Sequence, residues 1–279
     1  MLNENIQKEL IEKGRAFIKG YTSNDPYEED FESDQDLKRP QPPLVKAAMR
    51  PESDRITLPK DFSNLEHRED LIDVIRDRKS SRIYTQEEMT LEQLSFLLWA
   101  TQGVKDIRGK SYATLRTVPC GGARHEFETY LMVRNVTGLK AGKYHYLPIE
   151  HALEFLGEVE NIEDVITETL SGQSWAAKAN VVFYWTIVPY RAEWRYGIYA
   201  HRVALIDVGH VGQNLYLACT SIGVGGCAIA AFQDDVCNEV FELDGEEEFV
   251  VYTMPVGTIR ESDKKAEQAF YQFVEDEGL

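Results

Sequence analysis

The run Arg78-Lys79-Ser80-Ser81-Arg82 sets two guanidiniums, an ammonium and two hydroxyls side by side in a chain whose net charge is −17. Guanidinium groups donate paired, charge-assisted hydrogen bonds to phosphate oxygens, so this run could grip a phosphate; taken alone it reads as a solvated basic turn. A second stretch, Arg116-Thr117-Val118-Pro119-Cys120-Gly121-Gly122-Ala123-Arg124, is a glycine-bearing loop or helix start. Gly223-x-Gly225-x-x-Ala228 has the outline of a dinucleotide fingerprint. That fingerprint needs a strand before it and a helix after it, whereas here a helix precedes, so a Rossmann site is rejected. Asp207 and His210 stand three apart on a helix and could touch, with helix-to-sheet or intersubunit hydrogen bonding favoured over catalysis. The sequence holds no G-x-S-x-G and no H-E-x-x-H. Cys120, Cys219, Cys227 and Cys237 form no C-x-x-C pair and share no spacing with the histidines, so neither a metal site nor a disulfide framework is expected.

These groups need a frame, and Val203–Phe232 supplies its spine. Val208, Val211, Leu215, Ala218 and Ile222 recur at helical spacing, with Leu205, Gly209, Gly212, Tyr216 and Cys219 as a neighbouring stripe of small or apolar side chains. A helix apolar on so much of its circumference should be buried on more than one side. Each of its two internal glycines costs about 1 kcal/mol relative to alanine, which close approach of another helix, or of the same helix in a second subunit, would offset. Gly223 offers a left-handed cap. Gly225–Phe232 then reads as a small-residue strand with room for a flat ligand against its backbone.

Along the rest of the chain, residues 1–65 form one unit, a helix over Glu4–Lys19 followed by an acidic and proline-rich extended arm with Tyr21, Tyr27 and Phe31. Residues 66–279 form the main domain. Its expected elements are a helix over Glu66–Asp77 with Leu71, Ile72 and Ile75 inward, and a helix capped by Thr90 with Gln93 completing a capping box. Leu91, Leu94, Leu97, Leu98 and Trp99 form the core face of that second helix, which Gly103 ends. Strands are expected over Glu128–Val133, Lys143–Leu147, a short Leu153–Leu156, Val181–Val188 and Phe249–Met254, and helices over Ile162–Leu170 and Asp235–Phe241. The pattern is α+β, a mixed sheet flanked by helices. With 43% hydrophobic residues in 279, an ample core is available. The acidity argues against nucleic acid and anionic membranes. No stretch has the apolar length of a membrane span and no secretory leader is seen, so a reduced, cytoplasmic protein is expected.

Taken in order, RDRKSSRIY, LEQLSFLLWATQGV, RTVPCGGARHEFETYLMV, YHY and IDVGHVGQNLYLACTSIGVGGCAIAAF resemble the nitroreductase superfamily of flavoproteins, most closely its SagB-type dehydrogenase branch, over about residues 65–260. The resemblance implies a homodimeric α+β sandwich with FMN at the subunit interface. It implies that Arg78, Ser80 and Arg82 bind FMN, with Arg78 on the phosphate and Arg82 nearer the ribityl chain or the N1–C2=O edge. Pro119, Cys120, Gly121 and Gly122 match the loop supplied by the second subunit, Cys120 standing where serine is commoner. Ala230 and Ala231 match the backbone that approaches flavin N5, and Gly257 and Arg260 the place where the family closes on the phosphate. Hydride would pass between NADH or NADPH, flavin N5 and a small electron-poor substrate such as a nitroaromatic or quinone. The azoline dehydrogenases of the branch, which oxidise thiazoline and oxazoline rings in peptides, use a Lys–Tyr pair just before the central helix. Here Arg195-Tyr196 occupies that place. Tyr196 is a candidate proton-transfer group or substrate contact, while Arg195 cannot be a neutral base because a guanidinium does not give up its proton in a protein at physiological pH. An azoline dehydrogenase is therefore the second expectation, and a non-catalytic flavin-binding protein the third.

Overall fold

The computed structural model describes residues 4–19, 31–260, 269, 272 and 276–278; the arm residues Tyr21 and Tyr27 lie outside them. The helices are α1 (Glu4–Lys19), α2 (Leu71–Asp77), α3 (Leu91–Gln102), α4 (Ile162–Thr169), α5 (Tyr190–Tyr196), α6 (Ala200–Ser221) and α7 (Asp234–Phe241). The strands are β1 (Arg55–Thr57), β2 (Val104–Arg108), β3 (Ala113–Arg116), β4 (Phe127–Val133), β5 (Gly142–Leu147), β6 (Ala152–Gly157), β7 (Val181–Ile187), β8 (Val224–Gly226) and β9 (Phe249–Thr258). Seven strands form one sheet in the order β1-β6-β5-β4-β7-β9-β8, and β2 and β3 form a separate hairpin. All named strand pairs are antiparallel, and the parallel pairing found among the described residues is the isolated bridge from Met89 to Val136.

The period-two alternation of the central strands decides how the layers form. In β7, Val181, Phe183, Trp185 and Ile187 enter one core, while Val182 and Tyr184 enter the other. The first core lies under α3 and α6, whose Leu94, Leu97, Leu98, Val211 and Leu215 fill it. The second lies under α4 and α7, with Ile166, Cys237 and Phe241. A sheet buried on both faces this way gives the helix–sheet–helix sandwich. Thr90 caps α3 in a full capping box with Gln93. Gly223 has φ +73°, the left-handed conformation a helix end requires.

Three expectations need correction. The helix expected from Glu66 begins at Leu71, because the Asp70 carboxylate accepts the Ile72 and Asp73 N–H groups and caps it there. On that short helix Val74 turns inward, and Leu71, Ile72 and Ile75 are exposed. The strand expected over Gly225–Phe232 is ordered as Val224–Gly226 plus one bridge, Ile229 to Thr253. An added Cβ at Gly225 would sit 2.6 Å from Ser81 Cβ, so this glycine admits the protein's own basic run. In α6, Gly212 is explained by the ring of Tyr252 on β9, 2.7 Å from where a Cβ would stand, rather than by another helix.

Candidate functional site

The sequence-nominated residues gather at the two ends of α6. At its C-terminal end lies a cleft of about 350 Å³ lined by Arg68, Lys79, Ser81, Tyr216, Gly225 and Arg260, among others. The basic run leaves α2 and is pinned to β8 by the Ser81 N–H donating to Gly226 O at 3.0 Å. Tyr84, at the end of the same run, donates to Ser81 O and Pro255 O. Tyr216, which sequence reasoning placed only in a helical stripe, joins the parts: its hydroxyl accepts the Ala228 N–H at 2.8 Å and lies 3.0 Å from Ser80 Oγ. The Arg78 guanidinium stands 5.3 Å over its ring. Arg82 lies 5.8 Å over Trp175, and Gln173 in the same loop donates to Ala231 O at 3.2 Å. Ala230 and Ala231 are exposed. Gly257 is buried in β9 opposite Gly225, and a Cβ there would press 2.9 Å from Asn180 Oδ1 and Tyr84 Cδ1. Arg260 reaches the cleft rim and pairs with Glu87 at 2.5 Å. The arginines, lysine and hydroxyls of this cleft are a donor set suited to a phosphate-bearing ligand.

The other end of α6 holds Pro119, Cys120, Gly121, Gly122, Arg195 and Tyr196. Asp207 accepts the Gly121 N–H at 2.7 Å, a helix-to-loop bond, and lies 3.5 Å from His210. The loop is strained: Gly122, Ala123 and His125 all have positive φ. A Cβ on Gly122 would fall 2.6 Å from the Tyr196 hydroxyl and 2.7 Å from Arg195 Nε, so the glycine is what lets α5 close on the loop. Cys120 donates to Glu126 Oε2 at 3.2 Å, and the three groups Cys120, Glu126 and Asp207 lie within 4.8 Å of one another. A thiol and two carboxylates could hold a metal ion, but here Cys120–Glu126 is a hydrogen-bonded pair. Burial, then the Glu126 and Asp207 charges, push the Cys120 thiol far above its ordinary range, and burial first of all raises Glu126.

Residues 31–50, ahead of β1, buttress this end. The Gln35 N–H donates to Trp194 O, Trp194 Nε1 to Arg39 O, and Phe31 fills the space beside Gly197. Further along, the Lys46 N–H donates to Glu128 Oε1 at 2.7 Å, and the Met49 and Arg50 N–H groups to Glu154 Oε2 at 2.7 and 2.8 Å. Those two buried carboxylates hold His145 between them, and Arg191 closes on Glu128 at 2.6 Å. Burial alone would raise Glu128, but Arg191 and then His145 hold it well below the carboxylate range. For Glu154 burial is likewise outweighed, by His145 and the Arg50 N–H. His145, which burial alone would lower, is net raised by its two carboxylates.

Asp207 and Tyr216 are nine residues apart on α6, about 14 Å along its axis. Within one chain, then, the basic group and the Pro119–Gly122 group form two sites, not one.

A family model described as the nitroreductase family matches residues 75–258. A Methanocaldococcus jannaschii protein described as a nitroreductase is 35% identical over 187 residues, covering 67% of this chain and 90% of that protein. The microcin B17-processing protein of Escherichia coli is 28% identical over 134 residues, 46% of this chain and 49% of that protein. A solved nitroreductase-type structure from Ralstonia eutropha, at 24% identity, has TM-score 0.61 over 79% of this chain and 99% of its own, a likeness of fold. The matched stretch runs from α2 into β9 and takes in α6 with the loops at both its ends: the chain belongs to the nitroreductase family and is an oxidoreductase.

Proposed function

We propose that the chain is an FMN-dependent oxidoreductase that works as a homodimer, each flavin lying between the basic cleft of one protomer and the Pro119–Gly122 loop of its partner. The observation that carries this reading is the separation of the two residue groups along α6, which a two-fold partner would undo. Leu205, Ile206 and Gly209 of α6 support it, since they face outward and nothing lies within 4 Å of where a Gly209 Cβ would stand. So do Leu71, Ile72 and Ile75 of α2, each more than half exposed. Aliphatic faces of this kind are what an obligate interface covers.

The residues present fit FMN. Arg78 and Ser80, with Lys79 and Arg260 at the rim, match a phosphomonoester, and the exposed Ala230–Ala231 backbone leaves room beside it for a planar ring. When bound, the flavin supplies two-electron hydride chemistry. The chain's own part is to hold phosphate with Arg78 and Ser80, to keep Ser80 and Ala228 in register through Tyr216, and to place Arg82 where its charge favours an anionic reduced ring. Tyr196 and Arg195 border the space for a small electron-poor substrate, with NADH or NADPH as transient reductant.

A visible absorption spectrum of the purified protein, followed by anaerobic addition of NADH or NADPH, tests the reading. A flavin spectrum that bleaches is expected. Protein that takes up no FMN, even when supplied, would overturn it. A second reading, a SagB-type azoline dehydrogenase acting on a peptide, is favoured by the similarity to a microcin-processing protein and opposed by Arg195 in place of a neutral base. It would show as flavin reduced by an azoline peptide and not by nicotinamide. Bound flavin that no reductant or oxidant turns over would leave a binding protein.

A further inference from the structure

Tyr112 closes the β2–β3 hairpin next to the strained loop, and its phenol has an unusual set of neighbours. Arg195 Nη1 donates to the phenolic oxygen at 2.9 Å, and Gln35 Nε2 donates to the same oxygen at 3.4 Å. The Arg124 guanidinium lies 5.0 Å over the ring and is held there by its own bond to the Tyr112 carbonyl at 2.9 Å. Arg195 also stands 5.6 Å over the Tyr196 ring, so the two tyrosines share one guanidinium. Both N–H groups donate to the Tyr112 oxygen, so neither bond uses the phenolic hydrogen, and the residue is 38% exposed. Loss of that proton leaves a phenolate already solvated by two donors and faced by two cations.

We propose that Tyr112, activated by Arg195 and Arg124, is the proton-transferring group of this oxidoreductase; the proposal rests on the composite flavin site proposed above. A quinone-type acceptor gains one hydride and one proton. The hydride comes from the flavin reduced by nicotinamide; the proton comes from the Tyr112 O–H, whose bond breaks as the acceptor's O–H forms. The phenolate stays hydrogen-bonded to Arg195 and Gln35 until water reprotonates it. In the dehydrogenating direction the same oxygen takes the substrate proton. Arg195, unable to act as a base itself, thus becomes the positioning residue that makes a base of its neighbour.

The electrostatics agree. Partial burial pushes the Tyr112 phenol up, but the Gln35 hydrogen bond, the Arg195 and Arg124 charges and the Arg195 hydrogen bond together bring it net below the ordinary tyrosine value. Sequence reasoning missed this residue because Gln35, Tyr112, Arg124 and Arg195 share no spacing.

The test is a pH titration of the full chain carrying [13Cζ]tyrosine, with the Tyr112 resonance identified by its absence in Tyr112→Phe. The expected result is a resonance titrating below the ordinary tyrosine value, moved upward in Arg195→Gln and largely restored in Arg195→Lys. Alongside it, Tyr112→Phe should lower kcat at least about tenfold with flavin content unchanged. An ordinary or raised Tyr112 titration in flavin-loaded protein, or a wild-type kcat in Tyr112→Phe, overturns this proposal and leaves the flavin site standing. A chain that binds no flavin overturns both, and is recognised by its spectrum before any titration.

Discussion

At the Tyr216 end of α6, one uninterrupted run supplies Lys79 and Ser81 to the cleft lining and Arg78 and Ser80 against Tyr216, and the helix and sheet edge meet them with Tyr216 and Gly225. At the Asp207 end, Gln35, Tyr112, Gly122, Arg124 and Arg195 come from four separate segments, and the loop that joins them carries three residues at positive φ. The first end is held by short backbone ties within the family domain. The second is held by a segment that crosses from outside it and is anchored on buried charge. A binding pocket needs only density of donors, which a short run can supply. Placement of a proton-handling group needs convergence, and convergence is bought with strain and long-range anchors.

If that contrast is right, removing the anchor should disturb the second end and spare the first. Glu128→Gln leaves Arg191 buried without its carboxylate and His145 with Glu154 alone, a change worth roughly 3–5 kcal/mol. Urea denaturation should show the loss, and limited proteolysis should open the segment around Lys46, with FMN still bound to folded protein. The pH dependence sharpens this. Glu128 and Glu154 are held below their ordinary values when folded, so their stabilisation is present above an unfolded value near 4.5 and is lost as pH falls through their folded values. His145 is raised, so its share is full below 6.5 and is lost as pH rises through its folded value. Wild-type stability should therefore fall on acidification with a steeper slope than that of Glu128→Gln. Equal slopes would remove the carboxylate anchor.

At the first end the corresponding change is Arg78→Ala. A charge-assisted bond to phosphate is worth about 1.5–3 kcal/mol, so flavin affinity should weaken by about 10- to 150-fold, read by flavin fluorescence titration. Dimer and thermal stability should be unchanged. Flavin content equal to wild type would sink the phosphate assignment for Arg78.

How much of this could be read from the sequence follows the same division. The alternation in Val181–Ile187, the Thr90–Gln93 capping box and the spacing of Val208, Val211, Leu215 and Ala218 are local patterns, and they define the two cores and the long helix. The basic run was legible because its chemistry is contiguous. The outward turn of Leu71, Ile72 and Ile75 was not, because those residues look like core until a single chain is seen to leave them bare. The β2–β3 hairpin was missed because Val104–Arg108 is polar and exposed and Tyr112 sits in an unremarkable turn. Tyr216 was read as helix filling, since only the fold brings Ser80 and Ala228 to its hydroxyl.

Gly122→Ala tests the strained loop directly. The new Cβ would meet the Tyr196 hydroxyl and Arg195 Nε at under 3 Å, at a φ of +55° that disfavours any side chain. Together these cost about 1–3 kcal/mol. Turnover per bound flavin should fall about tenfold, and flavin affinity should fall as well, by less than in Arg78→Ala, because in the proposed dimer this loop lies against the partner's flavin. Flavin affinity equal to wild type would place the loop away from the flavin and overturn the dimer reading.

Tyr216→Phe is the smallest change and the finest probe of the first end. It keeps the ring under Arg78 and removes only the hydroxyl that receives the Ala228 N–H and reaches Ser80. A net hydrogen bond is worth about 1 kcal/mol, so FMN affinity should weaken about fivefold with turnover per bound flavin unchanged. If Tyr216→Phe matches Arg78→Ala in its effect, the arginine contributes by position and the tyrosine organises the cleft. If it has no effect, Ser80 and Ala228 are held by the backbone ties of Ser81 and Gly226 alone, and this end of the helix is stiffer than the other by more than its missing strain would suggest.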